Sequence, residues 1–375
     1  MTSILFLTLK VFSATGGIEK VCRVVGKALY EESLCGEASA RIMSLHDQPT
    51  DADDNIYFPT ELFSGYSNQR LSFIKQAVKA GSRANIVLLS HINLLMVGWM
   101  IKKIAPQTTI MLFSHGIEIW GDLGSSKKRM LPCVDRFLCV SRFTKATIQT
   151  EHAIDAEKCT VVNNCLDPFL PLPGQKIKSP GLLQRYGFKD TDIVLFTLTR
   201  LSFKDRYKGY DRVMDALALI KGNYPGIRYL VGGSYDAIEK EFVDAHIRRL
   251  QLEDTVTIAG YIPDEELADH FKMADGYVMP STKEGFGIVF IEAMYYGLPV
   301  IAGNADGSVD ALLDGALGLL VKPDSVEEIK NAIEKMLLNK RAHIPDRELL
   351  LQHFSYGAYK DKLRECLLLP LLMEI

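Results

Sequence analysis

Short apolar runs alternate along this chain with longer stretches whose apolar residues recur every three or four positions. In the first half the alternation reads SILFLTL then GGIEKVCRVVGKALYE, NIVLLS then INLLMVGWMIKKI, TIMLFSH, and RFLCVS then RFTKATIQTEH. Continuous apolar runs followed by amphipathic segments predict strands buried on both faces, each leading into a helix, hence a parallel sheet covered on both sides. The pattern breaks at NNCLDPFLPLPGQKIKSPG, residues 163–181, which is proline-rich, has no periodicity and reads as an interdomain linker. A second series follows: DIVLFTLTR, a helix over about 209–222, IRYLVGG, a helix over about 236–251, TVTIAGY, ELADHFKMA, GYVMPS, IVFIEAMYY, PVIAG and a closing helix near 325–339. The expected architecture is α/β, two doubly wound domains with a cleft between them. The expected boundaries are 1–168 for the N-terminal domain, 169–182 for the linker and 183–352 for the C-terminal domain, with a C-terminal helix over 353–375 crossing back to the first domain.

Composition narrows the function classes. A chain of 375 residues exceeds what one hydrophobic core supports, and 47% apolar with 24% charged residues is ordinary for a globular protein. The net charge is −3, with a mildly basic first half and an acidic second half. No basic run with interleaved aromatics accompanies that asymmetry, so nucleic acid is not an expected partner. Seven cysteines without a CxxC pair suit a reducing compartment, and the expected location is cytoplasmic. The opening MTSILFLTLKVFSATGG lacks the basic start of a secretory signal and reads as a buried first strand. The most apolar window, IVLLSHINLLMVGWMI at 86–101, falls short of the roughly 20 residues that a membrane-spanning helix needs. IKKIAP and GSSKKRM are either solvated faces or a peripheral contact with anionic lipid at the inner membrane face.

Ligands of doubly wound sheets bind where strands end and helices begin, so the glycine-bearing loops carry the candidate chemistry. In VFSATGGIEK, Gly16 and Gly17 precede a helix, either to admit an anion or to build a turn that needs positive φ. GxGxxG and GxxxxGK[ST] are both absent, which counts against dinucleotide and Walker-type sites. TRLSFKDRYKGYD, 199–211, places Arg200, Lys204, Arg206 and Lys208 around a glycine after an apolar strand, an arrangement suited to a pyrophosphate or to a solvated turn. In STKEGFGIVFIE, 281–292, Gly285 and Gly287 open a helix that Gly297 and Pro299 end. Glu284 precedes this helix and Glu292 lies about two turns in, so two carboxylates able to accept hydroxyl protons flank an anion-binding helix tip. Glu292 sits inside an apolar run, where a carboxylate needs a partner. The DAD triplet at 51–53 lies in a polar loop and reads as a solvated turn. Cysteines and histidines show no ligand spacing, so no metal is expected.

Together these segments resemble the retaining glycosyltransferases of family four, which adopt the GT-B fold of two Rossmann-like domains facing each other across a cleft. The resemblance covers nearly the whole chain. It is carried by GGIEKVCRVVGKAL, VSRFTKATI, VVNNCLDPF, TRLSFKDRYKGYDRV, GYIPDEELADHFKMADGYVMPST and, most specifically, EGFGIVFIEAMYYGLPVIA with its Glu-x7-Glu block. It implies that Glu284 binds hydroxyls of the transferred sugar, that Glu292 binds the nucleotide ribose, and that Arg200 and Lys208 clamp the diphosphate. It also implies that Gly16 and Gly17 lie near the leaving phosphate, that Gly285 and the amides of Phe286 and Gly287 lie near the donor sugar and its phosphates, and that His115 stands beside that sugar. Glu118 faces the acceptor side on the same basis. The chain departs from the family pattern at Asn163 and Cys165 in the linker and at LVGGSYDA, where base recognition can differ; Asp310 stands where the family often has glutamate, and its role is open.

The activity implied is transfer of a sugar from a nucleotide diphosphate sugar to an acceptor hydroxyl with retention, without metal or cofactor. The implied acceptor is a surface polysaccharide or a glycolipid. Two alternatives stay open: a nucleotide-sugar 2-epimerase of the same fold, and a non-catalytic sugar-nucleotide-binding module.

Overall fold

The structure is a computed structural model, and it describes residues 1–367; residues 368–375 of the expected C-terminal helix lie outside the described residues. The chain divides into two compact units, one formed by Met1–Pro168 with the segment from Phe354 onward, the other by Phe169–His353.

The first unit begins with β1 (Thr2–Thr8), whose Ile4, Leu5, Phe6 and Leu7 are buried, and continues through α1 (Gly17–Leu34) and β2 (Ala38–Ser44). β3 (Phe63–Gly65), α2 (Arg70–Gly81), β4 (Ile86–Leu89), α3 (Leu95–Ile104) and β5 (Thr109–Ser114) follow. The unit's strands end with β6 (Arg136–Cys139) and β7 (Cys159–Val161), flanked by α4 (Gly124–Met130) and α5 (Arg142–His152). All seven strands are parallel, in the order β3-β2-β1-β4-β5-β6-β7. The order reverses between β1 and β4, so the loops leaving those strands part in opposite directions and open a crevice at their carboxyl ends.

The chain runs without helix or strand from Val162 to Ser179, and residues 180–182 of the expected linker instead open the second unit's first helix, α6 (Pro180–Tyr186), which starts on a proline. Its strands are β8 (Ile193–Leu198), β9 (Ile227–Gly232), β10 (Val256–Gly260), β11 (Gly276–Met279), β12 (Val300–Gly303) and β13 (Leu319–Val321). They are parallel, in the order β10-β9-β8-β11-β12-β13, with the reversal between β8 and β11. Between them run α7 (Tyr210–Ile220), α8 (Ala237–Arg249), α9 (Asp264–Met273), α10 (Ile288–Tyr295) and α11 (Ser308–Ala311), followed by α12 (Val326–Leu338) and α13 (Arg347–Phe354). α10 spans eight residues, which places Glu292 a little over one turn from its start rather than the two turns expected.

The last described helix, α14 (Tyr356–Leu367), belongs to the first unit. It buries Tyr359, Leu363 and Leu367, and Lys360 reaches Glu31 of α1 at 2.9 Å. The N–H of Leu166 donates to the carbonyl of Phe354 at 2.9 Å, so both ends of the segment that leaves this unit are bonded together. Among the described residues no helix is long and apolar enough to cross a membrane.

Candidate functional site

In the second unit, the loops after β8 and β11 emerge side by side at the reversal of strand order, and they hold Arg200, Lys208 and Glu284. Asp205, almost fully buried, accepts from Arg200 Nε at 2.7 Å and from the Tyr207 hydroxyl at 3.0 Å, leaving the Arg200 side chain 71% exposed at the carboxyl end of the sheet. Lys208 forms an ion pair with Glu284, the two side chains being 17% and 16% exposed. The backbone secures the same junction: Thr282 N–H donates to the Tyr207 carbonyl at 2.9 Å. Gly209 (φ 76°) passes so close that a Cβ would lie 2.5 Å from the Pro280 carbonyl oxygen, so only glycine fits.

The expected basic cluster is therefore smaller than the sequence suggests. Arg206 turns away into a salt bridge with fully buried Glu239, its Nε 2.8 and 3.0 Å from the two carboxylate oxygens. Its guanidinium lies 3.5 Å from the Phe242 ring centroid, and the Tyr210 hydroxyl donates to Glu239 at 2.5 Å. Arg206 is a structural cation that pins the loop to α8. Lys204 is exposed, and Arg200 and Lys208 are the loop's cations held at the strand end.

Glu284 is positioned through its backbone. Its N–H donates to Asp306 Oδ2 at 2.6 Å, and its carbonyl accepts from Gly307 N–H at 2.8 Å. A Cβ on Gly307 would stand 2.0 Å from the Gly285 carbonyl oxygen, so the turn after β12 packs backbone to backbone on the Glu284 loop. Gly287 (φ 85°) starts α10 from the left-handed region, and Phe286 beside it is buried. The first amides of a helix have no partner within it, so this tip presents N–H donors and the positive end of the dipole. Glu292 is 2% exposed, on the buried part of that helix.

In the first unit, the loop between β1 and α1 wraps around one buried carboxylate. Asp47 accepts from the backbone N–H groups of Val11 (2.6 Å), Phe12 (3.3 Å) and Ser13 (2.7 Å) and from the Ser44 hydroxyl (2.5 Å). Gly16 is extended (φ −158°), and neither Gly16 nor Gly17 occupies the left-handed region, so these glycines do not serve a positive-φ turn. A Cβ on Gly17 would meet nothing within 4 Å. Space above the first turn of α1 is what Gly17 supplies.

His115 follows β5, stacks on Phe113 with ring centroids 5.7 Å apart, and places Nε2 2.9 Å from the Ser90 carbonyl. That bond needs a proton on Nε2, which leaves Nδ1 as the acceptor of a neutral ring. Burial pushes its pKa down to about 4, the Ser90 carbonyl opposing only in part. Burial pushes the Glu118 carboxyl up, although the backbone N–H of His115 donates to it at 2.6 Å. The two groups thus lie together after β5 as a neutral imidazole and a reluctant carboxylate. Asp51 of the DAD turn accepts from Gln48 N–H at 2.8 Å, and among the described residues no cluster of three or more His, Cys, Asp or Glu is arranged to hold a metal.

Sequence reasoning found the charged and glycine positions and missed the three buried aspartates that hold them, Asp47, Asp205 and Asp306. Asp205 stood inside a segment already singled out. Asp47 and Asp306 sit just past strands, in HDQ and ADG, where an aspartate ordinarily marks a solvated turn.

Residues 181–360 match the family described as Glycosyl transferases group 1. The chain is 31% identical over 250 residues to a GDP-mannose-dependent alpha-(1-6)-phosphatidylinositol monomannoside mannosyltransferase of Mycobacterium tuberculosis, covering 64% of this chain and 63% of that protein. It is 31% identical over 166 residues to mannosylfructose-phosphate synthase of Agrobacterium fabrum, covering 43% of this chain and 36% of that one. The matches thus span less than two thirds of the length of these relatives. Among solved structures, HepE of Anabaena, in complex with UDP, superposes with a TM-score of 0.78 at 21% identity over 98% of this chain and 99% of that one. Sucrose-phosphate synthase of Thermosynechococcus elongatus gives 0.76 at 19% identity over 98% of both chains. At these identities the structural likeness bears on the fold alone.

Two glycine substitutions separate packing from open space. Gly307→Ala should lower the melting temperature by about 5 °C or more, because its Cβ overlaps a backbone oxygen that cannot retreat cheaply. Gly17→Ala should leave the melting temperature unchanged or raise it, since alanine suits a helix better than glycine. Thermal unfolding by circular dichroism checks both, and a fall for Gly17→Ala matching that for Gly307→Ala would contradict the geometry.

Proposed function

We propose that this chain, a GT-B protein whose residues 181–360 belong to the glycosyl transferases group 1 family, transfers a sugar from a nucleoside diphosphate sugar to an acceptor hydroxyl with retention of configuration. The observation that carries this reading is the junction of Arg200, Lys208 and Glu284 beside the amino end of α10, at the reversal of strand order in the second unit. Two cations and a helix tip suit a diphosphate, and the adjoining carboxylate suits hydroxyls. The GDP-mannose in the name of the mycobacterial relative supports the same substrate class.

In this reading Arg200 and Lys208 grip the diphosphate, the amides of Phe286 and Gly287 face its oxygens, Glu284 binds sugar hydroxyls and Glu292 the ribose. Gly17 leaves room for a phosphate at the start of α1, with extended Gly16 beside it. His115 acts as a neutral hydrogen-bonding group, because a ring that protonates only near pH 4 is not a cation at neutral pH. The carboxylates at the site are already engaged: Glu284 with Lys208, Asp205 with Arg200, Asp306 with backbone amides. None is poised as a covalent nucleophile, which supports substitution on one face. The bond from the anomeric carbon to the phosphate oxygen breaks, the bond to the acceptor oxygen forms on the same side, and the acceptor proton passes to the departing phosphate. The cations stabilise the charge that grows on that phosphate. No metal takes part.

A glycan or glycolipid is the acceptor class this reading favours, with peripheral contact at a membrane. α3 exposes Met96, Trp99 and Ile104, whereas Lys102, Lys127 and Lys128 are drawn into contacts with Asp135, Asn93 and Asp122 at 2.7 Å each. In this reading the exposed apolar side chains of α3 carry the contact, since Lys102 and Lys128 are already paired with carboxylates.

Three outcomes are expected. Arg200→Ala and Lys208→Ala should each lower kcat for a sugar nucleotide by about 100-fold, measured by release of nucleoside diphosphate; near-normal turnover in both would remove their assigned roles. Turnover should survive excess EDTA, and its loss on chelation would contradict the metal-free reading. Co-sedimentation with liposomes should weaken on Trp99→Ala more than on raising the salt; the reverse result would make the contact electrostatic.

A further inference from the structure

Asp306 lies just past β12 and is 2% exposed. Its Oδ2 accepts the Glu284 N–H at 2.6 Å and its Oδ1 accepts the Ser308 N–H at 2.9 Å, while the next residue, Gly307, donates to the Glu284 carbonyl at 2.8 Å. Glu284 is therefore gripped at both poles of its backbone by two consecutive residues of one turn, and its side chain is left for Lys208. An asparagine of the same shape would offer one oxygen and one N–H₂ to two backbone N–H groups, so only a carboxylate satisfies both donors. Nor does packing account for the group, because an ionised carboxylate is costly to bury for volume alone.

We propose that Asp306 is a positioning residue, whose carboxylate sets the backbone of the Glu284 loop so that Glu284 meets Lys208 and the donor sugar together. The sugar half of this role rests on the transferase reading, and the loop half does not. The arrangement is pH-sensitive. Burial raises the Asp306 pKa to about 6, the hydrogen bonds from Ser308 and from the Glu284 N–H pull it down, and the negative charge of Glu284 pushes it up again. Glu284 is the titratable group facing it from the loop after β11 and is itself paired with Lys208 from the loop after β8, while Asp310 lies on α11, the short helix that follows Asp306. Below about pH 6 a proton occupies one of the two accepting oxygens, so the grip weakens as pH falls.

Amide hydrogen exchange read by mass spectrometry tests the loop half without any ligand. In Asp306→Asn, exchange in residues 281–287 should quicken by about 10-fold while peptides from β8 and α12 stay unchanged. In the wild type, protection of 281–287, corrected for intrinsic rates and referred to β8, should fall between pH 7 and pH 5.5, and Asp306→Asn should abolish that dependence. Unchanged exchange in the variant, or a flat profile in the wild type, would overturn the proposal. Should Asp306→Asn fail to fold, the wild-type profile alone decides. The sugar half is read with UDP-glucose and GDP-mannose as probes: Asp306→Asn should lower kcat for whichever is turned over, and should remove the acid limb near pH 6 from its rate profile. A persisting acid limb would overturn that half. A wild type that turns over neither probe, together with faster exchange in the variant, would count against the transferase reading and support the clamp.

Discussion

An ion pair between Lys208 and Glu284 joins two loops that the sheet topology drives apart. The reversal of strand order between β8 and β11 opens the crevice, and without a tie the two lips would carry an exposed cation and an exposed carboxylate at no fixed spacing. Both side chains are largely withdrawn from water, so removing one partner leaves a poorly solvated charge, a loss on the order of 3–5 kcal/mol for a buried pair. The surrounding contacts keep the pair in register: Thr282 bonded to Tyr207, Gly209 against Pro280, and Asp306 with Gly307 on the Glu284 backbone. Each fixes a backbone position, so the side chains can exchange partners for a ligand while the loops stay in place.

Much of the fold was legible because central parallel strands are buried on both faces and read as unbroken apolar runs, as in SILFLTL, NIVLLS and DIVLFTLTR. β2, β3, β7 and β13 were not. β2 carries exposed Ser39 and Arg41 near the sheet's edge, and the other three are three-residue strands whose pairing comes from neighbours distant in sequence. The length of α10 was misjudged because Glu284 and the glycines after it form a turn of their own before Gly287 turns the chain into the helix.

At the site, glycines and charges announce themselves in sequence, but their partners do not. Arg206 looked like one of four equivalent cations until fold placed Glu239, 33 residues away, beneath it. Asp47 and Asp306 act on amides 36 and 22 residues away, contacts that leave no local spacing to read. The alternative for Gly16 and Gly17, a turn with positive φ, was decided only by the backbone. The two units nonetheless share a device: in each, a buried aspartate collects the amides of a loop at the carboxyl end of the sheet, and the polar groups presented there follow from that grip.

The central claim is that a diphosphate sits between Arg200, Lys208 and the amino end of α10. Soaking a crystal of the protein with a sugar nucleotide measures this directly. The diphosphate should lie within hydrogen-bond reach of both cations and of the Phe286 and Gly287 amides, with Glu292 on the ribose and Glu284 on the sugar. A ligand bound elsewhere on the chain, with the Lys208–Glu284 junction empty, would contradict the account.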